Sequence, residues 1–302
     1  MKNRFQFTGK NGEFRITHLK QQHEFNFPVA NEDGIKSSVT QNFGGDCKLD
    51  QNHFLLEPVS IENLHNNRST RNIWCTVDGD KSYSLTGASA KCEYERFLGK
   101  EDDVTLDAGF MWQEEKRIIK EVKLEATIRL FAPLGYGAEV MQVKVVNKGE
   151  GAKSVRITPA IPLYGRSADN IRDHRHVTSL LHRITTMPNG VCCKPVLSFD
   201  ERGHQKNNMI YYVIGSDENG NDPESFFPTA ESFIGESGTF IAPEALAEKK
   251  KGCKAGEKID GKEALGAMSF AEVTLEPGEA KEYIIVSGMT EEVSEITRTA
   301  EA

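Results

Sequence analysis

A chain of 302 residues with 45 acidic and 37 basic side chains carries a formal charge of −8. That sign argues against a nucleic-acid surface, which presents a basic face, and no apolar run approaches the ~18–20 residues of a membrane helix. Met1–Phe7 contains no signal-peptide core, so the expectation is a soluble, cytoplasmic protein.

The chain opens with a hairpin. Phe5-Gln6-Phe7 and Phe14-Arg15-Ile16 flank Gly9-Lys10-Asn11-Gly12, whose Asn-Gly suits positive φ. Strands are predicted over His53–Ile61 and Arg71–Val77, the second turning on Asp78-Gly79-Asp80 into Lys81–Leu85. From Val122 to Leu130 the apolar residues Val122, Leu124, Ala126, Ile128 and Leu130 alternate with Lys123, Glu125, Thr127 and Arg129. Period two means one dry face and one wet face. Glu139–Val146 and Ser154–Ile161, joined through Asn147–Gly151, read as a hairpin or meander.

Further on, Leu180–Thr186 and Val191–Phe199 flank Pro188-Asn189-Gly190, and Met209–Gly215 reads as a strand. Pro243–Gly252 has the order of a helix: proline and acid early, lysines late, glycine last. Its Lys249-Lys250-Lys251 is the one compact basic run and reads as a solvated helix end. Ala267–Leu275 and Lys281–Met289 form a last hairpin across Glu276-Pro277-Gly278-Glu279. Thr290–Ala302 has helical composition, but its Val293 and Ile296 have nothing local to pack on. A dozen or so strands with one or two short helices predict an all-β fold, a large antiparallel sandwich. One domain is expected over residues 1–289, with residues 290–302 as the start of a helical linker, cut short.

Motifs that carry chemistry are mostly missing. There is no G-x-G-x-x-G, no phosphate loop, no G-x-S-x-G and no H-E-x-x-H. The six cysteines (Cys47, Cys75, Cys92, Cys192, Cys193, Cys253) form neither a C-x-x-C pair nor a zinc spacing and read as reduced, structural thiols. The dense feature is Gly165–Arg183, with four arginines, three histidines and two aspartates. His174 and His176 would share a face on a strand, yet arginines flank both and would repel a cation, so no metal is expected. Asp169 and Asp173 lie beside Arg166, Arg172 and Arg175, which favours ion pairing and suits neither for a general acid. Trp74, Trp112, Tyr83, Tyr94 and Tyr164 could stack on sugar rings or fill the core, with Trp112 and Tyr164 the sugar-stacking candidates.

Several of these runs resemble one family. Val122–Pro133 is similar to its strand leading into a "(V/A)P" turn, Glu139–Asn147 to its "E-x-x-x-V-x-(V/L)-x-N" strand, and Leu275–Glu279 to its closing "L-x-P-G-E" turn. The chain resembles the N-terminal β-sandwich domain of the glycoside phosphorylases of glycoside hydrolase family 94. Gly165–Arg183 and Phe233–Phe240 look most like the 1,2-β-oligoglucan phosphorylase branch. The resemblance implies a supersandwich of the galactose-mutarotase kind. It places the general acid on a separate C-terminal (α/α)6 barrel, so no catalytic residue can be assigned here, and the chain ends where the linker to that barrel would begin. The implied chemistry is inverting phosphorolysis of β-linked gluco-oligosaccharides, with inorganic phosphate as co-substrate and no cofactor. The barrel, in cis or in trans, and a second copy of the chain are the implied partners. Arg166, Asp169, Arg172, His174, Arg175 and His176 are then the candidates for a loop at the substrate site. The alternatives are a free-standing carbohydrate-binding protein and an aldose-epimerase-like enzyme using a histidine and a glutamate.

Overall fold

The computed structural model describes residues 5–17, 19, 26–60, 69–172, 175–200 and 203–302, with the backbone alone for 171, 172, 175, 176 and 200. The alternation in the Val122–Leu130 run folds as expected, as strand Leu124–Phe131. Leu124, Ala126, Ile128 and Leu130 are each no more than 1% exposed. Burying each leucine or isoleucine contributes about 1.5–3 kcal/mol. Val122 and Lys123 fall instead in the preceding turn, where Lys123 takes φ +49°.

This strand sits inside an eleven-stranded sheet. In order across it run Phe5–Phe7, Phe14–Thr17, Asp103–Gly109, Trp112–Ile119, Leu124–Phe131, Ala138–Asn147, Ala280–Thr290, Ile210–Asp217, Gly190–Cys193, Arg183–Met187 and Lys258–Asp260. A six-stranded sheet holds Ser225–Thr229, Ala264–Ser269, Lys153–Pro162, Asn72–Val77 and Lys81–Ser84, with Val273–Leu275 also on Lys153–Pro162. A four-stranded sheet of Asn26–Ala30, Lys36–Thr40, Cys47–Asp50 and His53–Leu56 completes the layers around the main core. The pairings are antiparallel, and the hairpins expected at Phe5–Ile16, Arg71–Leu85 and Leu180–Phe199 are present. The expected strand from His53 stops at Leu56, and Ile61 lies outside the described residues.

Two expected hairpins are not hairpins. Ala138–Asn147 pairs with Leu124–Phe131 and Ala280–Thr290, while Lys153–Pro162 pairs with strands of the six-stranded sheet. Likewise Val273–Leu275 pairs with Lys153–Pro162, and Ala280–Thr290 lies in the large sheet. Both edges of Ala138–Asn147 are occupied, so the chain arches over the core into the facing sheet. Asn147 staples the two arches side by side. Its Nδ2 donates to Gly151 O (2.8 Å) and Leu275 O (2.9 Å), and its Oδ1 accepts from Gly149 N (2.9 Å). Its backbone N donates to Glu279 O (3.0 Å) and its O accepts from Gly278 N (2.7 Å).

A buried ion pair pins the four-stranded sheet to the large one. Arg71 Nε and Nη2 donate to Glu139 (2.8 and 2.9 Å), and the same guanidinium reaches the backbone oxygens of Phe43, Gly44 and Asp46. Both side chains are fully buried, so removing either partner would strand a charge, at a cost of about 3–5 kcal/mol.

The helices depart most from expectation. Pro243–Gly252 yields only Glu244–Ala247, with Pro243 as an extended N-cap, because Lys249 turns left-handed. Ala90–Phe97 is a helix the periodicity did not announce, since it buries no residue; Ser89 caps it through Cys92 N (3.1 Å). Ala230–Ile234 is a further short helix with a Thr229–Ser232 capping box. The helix expected near the C-terminus spans Val293–Glu301, and Ile296 is not left without packing. It is 3% exposed against Ile210, Tyr212, Ile214 and Val286 on the outer face of the large sheet.

Candidate functional site

After Lys153–Pro162 the chain leaves the sheet and zips onto the hairpin formed by Cys47–Asp50 and His53–Leu56. Tyr164 N donates to Leu55 O (2.7 Å), Gly165 N to Phe54 O (3.0 Å), Phe54 N to Arg166 O (3.0 Å) and Ala168 N to Gln51 O (2.8 Å). Gly165 sits at φ +62°, and a Cβ there would press on Pro195 at 3.1 Å, so glycine suits the bend. The dense polar stretch therefore begins on a fixed base.

Arg166 belongs to that base. It is 3% exposed, and its guanidinium forks onto Glu263 (Nη2–Oε1 2.7 Å, Nη1–Oε2 3.3 Å) while Nη1 also donates to Tyr164 O (2.9 Å). The sequence expectation paired it with the neighbouring aspartates. Asp173 lies outside the described residues; among the described residues Arg166 pairs with a carboxylate 97 residues away, which holds the start of the stretch against the 261–263 bend. Ser167 is buried and donates through Oγ to Phe199 O. Asn170 Oδ1 accepts from Ser167 N (3.3 Å).

The far end is anchored in the same place. His182 is fully buried, with Nδ1 3.2 Å from Lys262 O, and its backbone O accepts from Gly261 N (3.0 Å). Arg183 folds back to donate to Leu180 O and His182 O, both at 2.9 Å. The expected strand from Leu180 therefore starts only at Arg183, because Ser179–Leu181 is a tight helical turn.

Between these anchors the backbone runs as short helical turns, Ala168–Arg172 and Arg175–Thr178. Asp169 is exposed, and Val177 and Leu180 are more than half exposed. Arg172, Arg175 and His176 have their backbones in these turns, and His174 and Asp173 lie outside the described residues. The shared-face reading of His174 and His176 assumed a strand; His176 is in a helical turn, so strand alternation does not apply to it.

Of the two stacking candidates, Tyr164 is buried and Trp112 is partly exposed. Tyr164 is 1% exposed, with the Arg166 guanidinium 5.2 Å over its ring and its hydroxyl donating to Ser167 O (3.4 Å). No face of it is open to a sugar. Trp112 is half-buried, crosses onto Gly109 of the neighbouring strand, and carries Arg129 over its ring at 4.9 Å. Of the other aromatics, Trp74 and Tyr83 are core and Tyr94 is exposed.

One polar centre escaped the sequence reading. In Trp112–Ile119 the inward positions are Gln113, Glu115, Arg117 and Ile119, and all are buried. Glu115 forms an ion pair with Arg117 (2.8 Å), and its Oε2 has no hydrogen-bond partner among the described residues. Burial pushes its carboxyl up to about 7 despite the pull of Arg117. It lines a cavity of about 40 Å3 with Arg117, Asp102, Cys92 and Asn42. That admits a water or two and no sugar. The signal was available: three polar residues on the dry face of an alternating strand.

Comparison with known proteins places the chain. A family model described as the glycosyl hydrolase 94 supersandwich domain matches residues 114–302. No curated protein matches. Among solved structures the chain is similar to an Escherichia coli K12 protein assigned as an aldose 1-epimerase, at 10% identity over 88% of this chain and 99% of that one, with a TM-score of 0.44. It is similar to a galactose mutarotase-like protein from Lactobacillus casei ATCC 334, at 9% identity over 88% and 100%, with a TM-score of 0.40. A human-microbiome protein assigned as a kojibiose phosphorylase aligns at 8% identity over 98% of this chain and only 30% of its own length, with a TM-score of 0.36. At such identities and scores these neighbours say nothing about chemistry. The family model covers well over half of the sequence, from the Glu115 strand through the polar stretch to the last helix, and the chain belongs to the glycosyl hydrolase 94 supersandwich family.

Proposed function

We propose that this chain is the non-catalytic N-terminal sandwich domain of an inverting β-glucoside phosphorylase of the 1,2-β-oligoglucan kind. In this reading it packs on an (α/α)6 barrel that holds the general acid, takes part in a homodimer, and lends residues 169–176 to the rim of the substrate site. Inorganic phosphate is the co-substrate. The observation that carries the reading is the family match over residues 114–302, which takes in the whole polar stretch. The geometry supports it in one respect: both ends of the stretch are anchored, at Arg166–Glu263 and at His182–Lys262, so its middle is presented from a rigid base. Arg166 is then a positioning residue. Arg172, His174, Arg175 and His176 are the groups proposed to meet phosphate or sugar hydroxyls, for which guanidinium forks are suited.

The test is phosphorolysis of β-1,2-linked gluco-oligosaccharides by the chain joined to, or mixed with, a barrel of that branch. A charged hydrogen bond to substrate contributes about 1.5–3 kcal/mol. Arg175→Ala and His176→Ala should therefore each lower kcat/KM about tenfold to a hundredfold. Unchanged rates in both variants would remove the loop from the site.

A further inference from the structure

The outer face of the six-stranded sheet is only partly covered. Trp74, Ala160, Phe227 and Ala267 lie beneath the short helices Ala230–Ile234 and Glu244–Ala247. Beside them the same face turns polar, and Thr76, Arg156, Thr158, Ser225 and Ser269 line a groove of about 560 Å3. That lies within the ~300–1,000 Å3 typical of small-molecule sites.

Lysines form its wall. Lys249, Lys250, Lys251 and Lys254 border the groove with Arg156, against two acids, Glu224 and Glu272, in a chain whose net charge is −8. Arg156 is paired with Glu224 (3.2 Å), and Lys250 with Glu244 and Glu248. Lys249 and Lys251 are exposed and have no ion-pair partner among the described residues.

Backbone geometry sets Lys249 apart. Lys250 N donates to Ala245 O (2.8 Å) and Lys249 N to Leu246 O (3.3 Å), the two bonds of a Schellman helix end. The residue at the left-handed position of that motif is usually glycine; here it is Lys249, at φ +55°. Among the described residues no bond of its side chain offsets the strain. Downstream the run is fixed as well. A Cβ on Gly252 would come within 2.5 Å of Phe226 O, and Phe226 and Cys253 exchange two backbone hydrogen bonds of 2.9 Å. A strained residue held rigidly beside a groove points to function.

We propose that this groove binds a phosphorylated monosaccharide, with the phosphate on Lys249 and Lys251 and the sugar over the hydroxyl-bearing sheet face. Ammonium groups are compact charges suited to phosphate. The floor offers the half-buried hydroxyls of Thr76, bonded to Ser82 (2.8 Å), and Ser225, beside Thr158 and Ser269, which are buried on each other (2.9 Å). Neutral sugar would not use the lysines, and bare phosphate would not use the floor. The proposal does not rest on the phosphorolysis reading.

Calorimetry on the whole chain would compare glucose 1-phosphate, glucose 6-phosphate, glucose and inorganic phosphate. At least one sugar phosphate should bind about tenfold more tightly than glucose or phosphate alone. Lys249→Gly combined with Lys251→Gln should weaken that binding about tenfold or more, while the thermal midpoint stays level or rises as the left-handed strain is relieved. Lys100→Gln, away from the groove, should leave binding unchanged. The proposal is overturned if neither sugar phosphate binds below about 10 mM, if inorganic phosphate matches them, or if binding survives the double replacement in a folded protein.

Discussion

Replacing Arg166 with methionine removes the guanidinium and keeps much of the side chain's volume, so it isolates the charge from the packing. Breaking a buried pair costs about 3–5 kcal/mol. The Glu263 carboxylate keeps 23% exposure and would be partly rescued by water. Tyr164 O would also lose a 2.9 Å donor, worth about 0.5–1.5 kcal/mol. The expected net loss is about 2–3 kcal/mol in urea denaturation. Because the backbone of Arg166 accepts from Phe54 N at 3.0 Å, amide exchange at Phe54 should speed up with it. A double-mutant cycle with Glu263→Gln should return a coupling of about 1–3 kcal/mol. A loss below about 0.5 kcal/mol with unchanged exchange at Phe54 would refute the view that this pair anchors the polar stretch.

Asn147→Ala strips three side-chain hydrogen bonds, one of them to the buried Leu275 O, and should cost about 2–4 kcal/mol; a near-neutral result in denaturation would mean the arches hold without the staple. The Glu115 carboxyl, pushed from 4.5 to about 7 by burial, binds its proton more tightly folded than unfolded. Its contribution to stability is therefore present at low pH and is lost as pH rises from about 4.5 through 7, by at most about 3 kcal/mol. Glu115→Gln should flatten the difference in unfolding free energy between pH 5 and 7.5, and parallel profiles for the two proteins would count against it. Ile296→Ala empties a site 3% exposed and should cost about 2–4 kcal/mol, read as faster amide exchange along Val293–Glu301; unchanged protection would show that the helix docks by other contacts.

The fold class was legible because strand alternation is a local property. Leu124–Phe131 and the early hairpin could be read from period two and from Asn-Gly, since each depends on residues adjacent in sequence. The crossing of Ala138–Asn147 into Lys153–Pro162 could not. A hairpin and an arch present the same two apolar runs and the same glycine-bearing turn, and the choice rests on whether a strand's edges are already taken. The helix expected over Pro243–Gly252 had the right ends for a longer element; Gly252 against the Phe226 backbone, and the left-handed turn at Lys249, cut it to Glu244–Ala247.

The polar stretch divides along the same line. Composition alone marked Gly165–Arg183 as unlike its surroundings, and the net charge argued against a nucleic-acid surface. That Arg166 and His182 face inward was decided by distant partners. Glu263, 97 positions on, draws Arg166 inward, and Lys262 O does the same for His182. A sequence shows which charges are near one another along the chain, whereas a carboxylate reaches a guanidinium through the sheet packing that only the tertiary structure supplies.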